Sequence, residues 1–237
     1  MLLNDDLFSG KEEYIIDECL TFMLAATMTT TLLINNGIYY LTQNDEKLAN
    51  MRVEMKTQLK RGFNGLSVHD WKNIILEEEL LSACNYLSYV VNEILRIDPS
   101  ARFSTIHEIA GECQIGQYKV LDGQRFIIYF HGLQNNPNQW IAPECFIPER
   151  FDPSSKYYLT PDGKRRHPMS FGPFLGGKRV CLGKTFAENI GKTMLSILFT
   201  QLDFEFVDPE VKREKPASTF FHPQPTYRMR VRKYAPE

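Results

Sequence analysis

A single long helical segment does most to constrain the fold of this chain. Residues 11–42 begin with several acidic side chains, which suit the positive end of a helix dipole, and apolar residues then cover nearly every face. A helix that is apolar all round needs other elements packed around it. We therefore expect residues 11–42 to form a buried central helix.

The apolar run within this helix is too short to predict a membrane span. Residues 20–34 include five threonines, and the run falls short of the roughly 20 apolar residues that a spanning helix needs. The first residues, MLLNDDLFSGKEE, lack the basic and apolar regions of a signal peptide. The sequence thus predicts neither a membrane span nor a signal peptide, and it leaves the localisation open.

Composition excludes other classes of protein. The chain has 237 residues, of which 43% are hydrophobic, and a formal net charge of -2. This balance gives no bulk attraction to nucleic acid, so no nucleic-acid partner is expected. The five cysteines are odd in number, scattered and without a CxxC pair, which argues against a disulfide framework or a zinc ribbon and favours a reducing compartment.

Local patterns predict the other elements of one domain that is mainly α with small β-sheets. Helical spacing occurs over about 44–60 and 78–97, and the second helix stops at Asp98-Pro99 because proline disfavours a further turn. In chain order, the predicted segments within residues 1–237 are the central helix at about 11–42, the helix at about 78–97, a β region at about 101–131, a proline-rich meander and cysteine loop at about 132–183, and a C-terminal helix with a β hairpin at about 183–233.

The β region is expected to contain a hairpin. Asp122-Gly123 is favourable in a tight turn and lies between residues 118–120 and 125–130, which are rich in Ile, Val, Tyr and Phe. These two runs are predicted to pair with each other.

The residues that say most about function lie in the loop FLGGKRVCLG, residues 174–183. Cys181 comes just before the C-terminal helix, where unpaired backbone N–H groups favour an anion such as a thiolate. Gly176, Gly177 and Gly183 are expected to allow positive φ and the close approach of a flat, bulky group. These residue types leave three interpretations open: a nucleophile, a metal ligand, or an ordinary helix entry with a buried cysteine.

The spacing Phe174-x-x-Gly177-x-Arg179-x-Cys181-x-Gly183 resembles the heme-binding signature of the cytochrome P450 family. The resemblance implies the P450 fold, heme b (iron protoporphyrin IX) as cofactor, and Cys181 as the axial thiolate ligand of the heme iron. It also implies that Arg179 binds a heme propionate, that Phe174 packs near the sulfur, and that Gly177 and Gly183 let the loop lie beneath the porphyrin. A thiolate ligand favours O–O cleavage and so points to oxygen chemistry.

Two further segments resemble the same family in the same order. Glu93-Ile94-Leu95-Arg96 places an acid and a base on one helix face, and Pro148-Glu149-Arg150-Phe151 follows in the meander. By this resemblance, Glu93, Arg96 and Arg150 form a buried ion triad that positions the cysteine loop. Because removing one member would leave a buried charge unpaired, each is expected to matter more for folding than for chemistry.

The central helix supplies a third resemblance. Ala25-Ala26-Thr27-Met28-Thr29-Thr30 is similar to the oxygen-binding stretch of the helix that crosses the distal face of the heme. This implies catalytic roles for Ala26, a small residue that leaves room for O₂, and for Thr29, whose hydroxyl helps to deliver protons. Alternatively, Thr29 and its threonine neighbours only fill a tight buried face.

Departures from the family pattern leave alternative reactions open. Met28 stands where an acid is usual and Ala26 where glycine is usual. The resemblance implies a monooxygenase that inserts one oxygen atom from O₂ into an organic substrate. A heme-thiolate isomerase or peroxide-using enzyme, which needs no external electrons, also tolerates an altered distal helix.

A second departure concerns the heme propionates. The family often has an Arg in the strand that follows the Glu93 helix, and Ile106 stands near that place here. His107 or Arg102 is expected to bind a propionate instead. The alternative for His107 is a half-exposed strand histidine.

The resemblance covers residues 11–237, the C-terminal half of a family member. The Trp-x-x-x-Arg motif of an earlier helix in the family is absent, because Trp71 is followed at that spacing by Ile75 and Trp140 by Glu144. The chain is therefore either part of a longer protein or a truncated relative, and a non-catalytic remnant is a third interpretation. If an N-terminal anchor precedes it, the expected location is the cytoplasmic side of the endoplasmic reticulum membrane.

The resemblance also implies three partners: O₂, a lipophilic small-molecule substrate, and a redox partner, either an NADPH-dependent reductase or a ferredoxin. Lys178, Lys184 and Lys192 lie on or beside the cysteine loop and are candidates for docking an acidic redox partner, although ordinary solvated lysines would look the same. Residues 103–106 and 218–221 correspond to segments that line the family's substrate pocket and contain apolar side chains.

Overall fold

A computed structural model describes residues 11–58, 83–208 and 227–235 of the protein. These residues confirm a mainly α fold with small β-sheets. The helices, in chain order, are α1 (Glu12–Thr42), α2 (Asp45–Gln58), α3 (Asn85–Ile97), α4 (Phe130–Gln134) and α5 (Lys184–Gln201). Short 3₁₀ turns occur at Pro148–Phe151, Lys156–Tyr158, Pro168–Ser170 and Gly177–Arg179.

Six short strands form three separate two-stranded antiparallel sheets within the described residues. The pairs are β1 (His107–Glu108) with β4 (Arg125–Phe126), β2 (Cys113–Ile115) with β3 (Tyr118–Val120), and β5 (Leu202–Phe206) with β6 (Met229–Lys233). None of the described strand residues is fully buried, so the sheets contribute little to the core.

The predicted hairpin at Asp122-Gly123 is wrong in its strand pairing. β3 pairs with β2 through a turn at Gly116, where φ is 59°, and β4 pairs with β1. The Asp122 carboxylate accepts a hydrogen bond from the N–H of Gly111 (2.6 Å), and the N–H of Gly123 donates to the carbonyl of Ile109 (2.9 Å). Because these bonds tie the turn to the segment before β2, a local turn preference gives way to contacts across the loop.

The hydrophobic core lies where four helices meet. The second half of α1 packs against α3 and α5, and α2 packs against α3. All four helices contribute fully buried apolar side chains, among them Leu33, Leu41, Met51, Met55, Leu87, Val91, Ile94, Leu195 and Phe199.

The expectation that α1 is buried throughout is wrong for its first half. Tyr14, Leu20 and Leu24 are exposed, and full burial begins only at Leu32, because the core helices among the described residues reach only the second half. By length and composition alone, α1 would also pass for a membrane-spanning helix, unlike its apolar run taken by itself. Its second half packs as the core helix of a folded protein does.

α3 begins later than predicted within the described residues. Residues 59–82 lie outside them, a turn occurs at Ala83, and the helix begins at Asn85. The Glu54 side chain of α2 accepts hydrogen bonds from the N–H groups of Tyr86 (2.7 Å) and Leu87 (2.9 Å). This carboxylate satisfies two backbone amides that have no partner within the helix, and its charge suits the positive end of the helix dipole.

Two glycines allow α1 and α5 to approach closely. A Cβ atom on Gly37 would lie 2.6 Å from Cδ2 of Leu195, and one on Gly191 would lie 2.7 Å from Cδ2 of Leu33. Both leucines are buried in the core. A larger residue at either position would therefore force a buried leucine out of its place.

We expect Gly37→Ala to lower the free energy of unfolding by about 1 kcal/mol, because overpacking costs about 1–3 kcal/mol and alanine recovers up to about 1 kcal/mol of helix propensity. Denaturant unfolding of a double-mutant cycle with Leu195→Ala tests the cause. In the Leu195→Ala background, Gly37→Ala should be neutral or stabilising. A cost that persists there would contradict the close contact as its origin.

Candidate functional site

Cys181 lies in the loop that leads into α5. A 3₁₀ turn over Gly177–Arg179 precedes it, and its N–H donates a hydrogen bond to the carbonyl of Phe174 (2.8 Å). Cys181 and Arg179 are exposed, whereas Phe174 is partly buried against the core. The loop therefore presents a thiol and a guanidinium on one short surface segment that is held to the core at its start.

Two residues of this loop, Leu175 and Gly177, have a positive φ. Gly177 has a φ of 64°, but Gly176 (φ −158°) and Gly183 (φ −84°) do not use the left-handed region, so the expectation of positive φ holds only for Gly177. Leu175 also takes a positive φ of 61°, which is uncommon for a residue with a side chain. Its N–H donates to the carbonyl of Gly172 (3.1 Å), and this bond helps to hold the turn.

Apolar side chains beside the thiol are exposed. Leu182 is 83% exposed, and Val180 and Phe186 are also exposed. A Cβ atom on Gly177 would meet no atom within 4 Å. The surface next to Cys181 therefore has room for a flat apolar group and gains free energy when such a group covers it.

Glu93, Arg96 and Arg150 are brought together in the interior. Arg96 donates to both carboxylate oxygens of Glu93 (2.7 and 2.9 Å), and Arg150 Nε donates to Glu93 Oε1 (3.0 Å). The Ile147 N–H adds a fourth bond to the same carboxylate (2.9 Å), and all three charged side chains are fully buried. One carboxylate thus holds α3 and the meander together through two guanidinium groups.

Backbone carbonyls of the meander complete the partners of the two arginines. Arg150 donates to the carbonyls of Ile141, Ala142 and Cys145, and Arg96 donates to those of Pro143 (2.9 Å) and Cys145 (3.3 Å). Ala142 has a positive φ of 45°, which is uncommon for alanine. The irregular backbone of the meander directs its oxygens at buried cations.

A third arginine, which in the sequence stands in an ordinary basic run, joins this cluster. Arg166 donates to the carbonyls of Arg150 (2.6 Å) and Tyr157 (2.8 Å), and its guanidinium lies 4.2 Å from the ring centre of Trp140. Burial and the neighbouring Arg150 lower the pKa of Arg166 to about 10. The ring of the buried Trp140 also faces Arg96 (5.2 Å), and no sequence pattern connects Arg166 with these residues.

The glutamate of Pro148-Glu149-Arg150-Phe151 has a role that the sequence did not indicate. Its Oε1 accepts hydrogen bonds from Tyr86 (2.8 Å) in α3 and from Lys47 (3.1 Å) in α2. Desolvation and the Glu149 hydrogen bond raise the pKa of the Tyr86 hydroxyl. Glu149 and its neighbour Arg150 therefore connect the meander to α2 and α3.

The distal candidates Thr29 and Ala26 lie on α1. Ala26 is exposed and Thr29 is half-buried, with its hydroxyl donating to the Ala25 carbonyl (2.7 Å), the usual back-bond of a helical threonine. The Ser100 hydroxyl donates to the carbonyl of Thr29 (2.8 Å). The loop after α3 therefore reaches the central helix at Thr29, a contact that a lone serine in the sequence does not predict.

His107 and Arg102 supply polar groups on the β side. His107 lies opposite Phe126 in the β1–β4 pair and stacks on its ring (5.3 Å). Its Nε2 is buried and has no hydrogen-bond partner among the described residues, which is costly unless an outside group provides one. Arg102 is buried, and burial lowers the pKa of its guanidinium. An acidic group such as a propionate suits both side chains, so these residues fit a heme.

The described residues also form a cavity, and they include one of the two predicted pocket segments. A cavity of about 620 Å³ is lined by residues 137–139 and residues between 160 and 167, none of which is a predicted catalytic or cofactor-binding residue. Of the predicted pocket segments, 218–221 lies outside the described residues, whereas in 103–106 the Phe103 ring stacks on Tyr129 (4.9 Å) and Ile106 is exposed.

Comparisons with known proteins agree on one family. The family model for cytochrome P450 matches residues 4–231. Cytochrome P450 4V2 from Mus musculus is 31% identical over 204 residues, which are 86% of this chain and 35% of that protein. The 3-hydroxyindolin-2-one monooxygenase from Zea mays is 31% identical over 182 residues, covering 76% of this chain and 31% of that protein. The chain spans about a third of the length of these curated relatives.

The solved structures give the same fold. The crystal structure of a cytochrome P450, CYP102L1, matches with a TM-score of 0.75 and covers 91% of this chain and 45% of that chain, at 21% sequence identity.

Proposed function

The chain belongs to the cytochrome P450 family, and from that premise we propose that it acts in a heme-thiolate monooxygenase, which inserts one oxygen atom from O₂ into a lipophilic organic substrate. The observation that carries this proposal is Cys181, an exposed thiol at the entry of α5 in a loop that starts from the core and is bordered by exposed apolar side chains. A thiolate there can ligate iron, and the uncovered surface beside it can receive the porphyrin.

Different residues of the chain have different proposed roles around the cofactor. Heme b, when bound, would supply the activation of O₂. Cys181 would hold the iron as a thiolate, and Arg179 and His107 would bind the propionates. Glu93, Arg96 and Arg150 keep the meander against α3. Ala26 would leave space on the distal side, and Thr29 would hold a proton at its hydroxyl.

Electrons would come from a redox partner, either an NADPH-dependent reductase or a ferredoxin. Lys178 and Lys184 are exposed and Lys192 is half-exposed, close in sequence to the loop of Cys181. Lysines of this kind attract an acidic partner and speed its association at low salt. The identity of the partner belongs to the proposal.

The ferrous carbon monoxide spectrum tests the proposal. We expect the purified chain, loaded with heme and reduced under carbon monoxide, to show the red-shifted Soret band of thiolate ligation. Product formation should then require O₂, NADPH and a reductase. A Soret band without the thiolate shift would overturn the heme-thiolate assignment.

A peroxide-using or isomerase activity is the second candidate. One observation favours it: between Glu18 and Asp45 the chain has no charged residue, so proton delivery on the distal side relies on Thr29 and ordered water. This candidate predicts turnover of an organic hydroperoxide without a reductase. Turnover that depends on NADPH and the reductase would rule it out.

Thr29→Val tests the proposed role of the Thr29 hydroxyl. Under the monooxygenase proposal, we expect product per O₂ consumed to fall and peroxide release to rise, because a positioned proton donor typically contributes about 10²–10⁴-fold to the rate of the step it assists. Product and peroxide are measured in one assay. Thr29→Ser keeps the hydroxyl and should behave like the wild type. An unchanged ratio in Thr29→Val would contradict a role for this hydroxyl.

A further inference from the structure

Gln134, at the end of α4, is fully buried and is connected to two separate parts of the site. Its side-chain amide donates to the carbonyls of Leu95 (2.9 Å) and Arg96 (3.2 Å), and its Oε1 accepts a hydrogen bond from the N–H of Gly172 (3.1 Å). Its own backbone carbonyl accepts a bond from the Arg96 guanidinium (3.0 Å). The side chain of each of these two residues, Gln134 and Arg96, therefore donates a hydrogen bond to the backbone carbonyl of the other.

At the end of α3, the backbone carbonyl of Leu95 lacks its usual helical hydrogen-bond donor. α3 ends at Ile97, and the residue four after Leu95 is Pro99, which has no N–H to donate to the Leu95 carbonyl. That carbonyl lies in a fully buried part of the molecule, where an oxygen without a partner is costly. The side-chain N–H groups of Gln134 take the place of the missing backbone donor.

The other bond of Gln134 reaches the cysteine loop. The N–H of Gly172 is held by Gln134, and its carbonyl accepts the N–H of Leu175, the residue with positive φ. The carbonyl of Phe174, next in line, accepts the N–H of Cys181 (2.8 Å). A short series of bonds therefore runs from the end of α3 to the backbone of Cys181.

We propose that Gln134 is a positioning residue, which fixes the start of the Cys181 loop to the end of α3 and so sets the position of the thiol. The triad of Glu93, Arg96 and Arg150 fixes the meander, whereas Gln134 extends that anchoring to the loop. Only the spectroscopic consequence rests on the proposed function. The backbone coupling between Gln134 and the loop stands independently of heme.

The test compares Gln134→Met with Asn36→Leu in the full chain. Methionine matches glutamine in length but forms none of its bonds. Asn36 is an equally buried amide that donates to Asp98 O (3.0 Å), just after α3, so Asn36→Leu is matched in burial and chemistry but does not touch Gly172. Hydrogen exchange without heme should be about tenfold or more faster over residues 172–181 in Gln134→Met than in Asn36→Leu, beyond any change in global stability.

A second readout uses the heme-loaded protein. At equal heme content, Gln134→Met should show a smaller fraction of the thiolate-type Soret band than Asn36→Leu. Gln134→His keeps one donor and one acceptor, so it should recover part of the band and part of the protection at Gly172. If Gln134→Met does not fold, Gln134→His is compared with Asn36→Leu in its place.

Exchange over residues 172–181 that rises no more than in Asn36→Leu, or that rises evenly along the chain, would overturn the role of Gln134. A wild-type protein without the thiolate band would overturn the proposed function, while the exchange experiment would still decide the coupling.

Discussion

Cys181→Ser is expected to remove the thiolate-type Soret band of the reduced, carbon monoxide-bound protein and to reduce the proposed monooxygenase turnover to background. A serine hydroxyl is not deprotonated at neutral pH and does not replace a thiolate as an iron ligand. The fold should be retained, because the side chain of Cys181 is exposed and the bond from its N–H to the Phe174 carbonyl belongs to the backbone. Absorption spectroscopy and thermal unfolding of the same sample measure both effects.

Cys113→Ser provides the matched control, since Cys113 is another exposed free cysteine and lies in the β2–β3 sheet. It should keep both the band and the activity. If Cys181→Ser kept the thiolate band, another residue would have to be the ligand.

Glu93→Gln is expected to lower the free energy of unfolding by about 3–5 kcal/mol, several times the cost of Gly37→Ala. The amide fills the same volume but leaves two buried guanidinium groups without a carboxylate. Since whole domains are stable by only about 5–15 kcal/mol, heme content should fall as a consequence of unfolding. Denaturant unfolding of the heme-free chain isolates the structural effect.

Glu108→Gln is the control for this replacement. Glu108 pairs with Arg125 at 3.1 Å, but both side chains are mostly exposed, and exposed pairs of this kind contribute about 0–1 kcal/mol. If Glu93→Gln cost no more than Glu108→Gln, the buried cluster would not stabilise the fold as we propose.

Most of what could be predicted about the site came from the resemblance of three segments to the cytochrome P450 family. The resemblance assigns Cys181 and Arg179 to a cofactor loop and Glu93, Arg96 and Arg150 to a buried ion cluster, whereas the Glu-x-x-Arg spacing taken alone also suits a surface pair. The long helical pattern of α1 was predicted from the residues themselves, because residues 11–42 contain no proline and apolar residues cover nearly every face.

The parts that could not be predicted depend on contacts between distant segments. The turn preference of Asp122-Gly123 is local, but the strand pairing follows the bonds of that turn to Gly111 and Ile109. Burial of α1 depends on which elements lie beside it, and composition cannot show that its first half is uncovered among the described residues. Gln134 gave no signal because a lone glutamine is usually exposed.

The meander also shows why so long a segment lacks regular structure. The guanidinium groups of Arg96 and Arg150 donate hydrogen bonds to backbone carbonyls in place of water. These carbonyls belong to Ile141, Ala142, Pro143 and Cys145. In a helix or a strand those oxygens would accept backbone N–H groups, and the cations would lose their substitute for water. The irregular path of residues 141–145 is therefore a requirement of the buried charge.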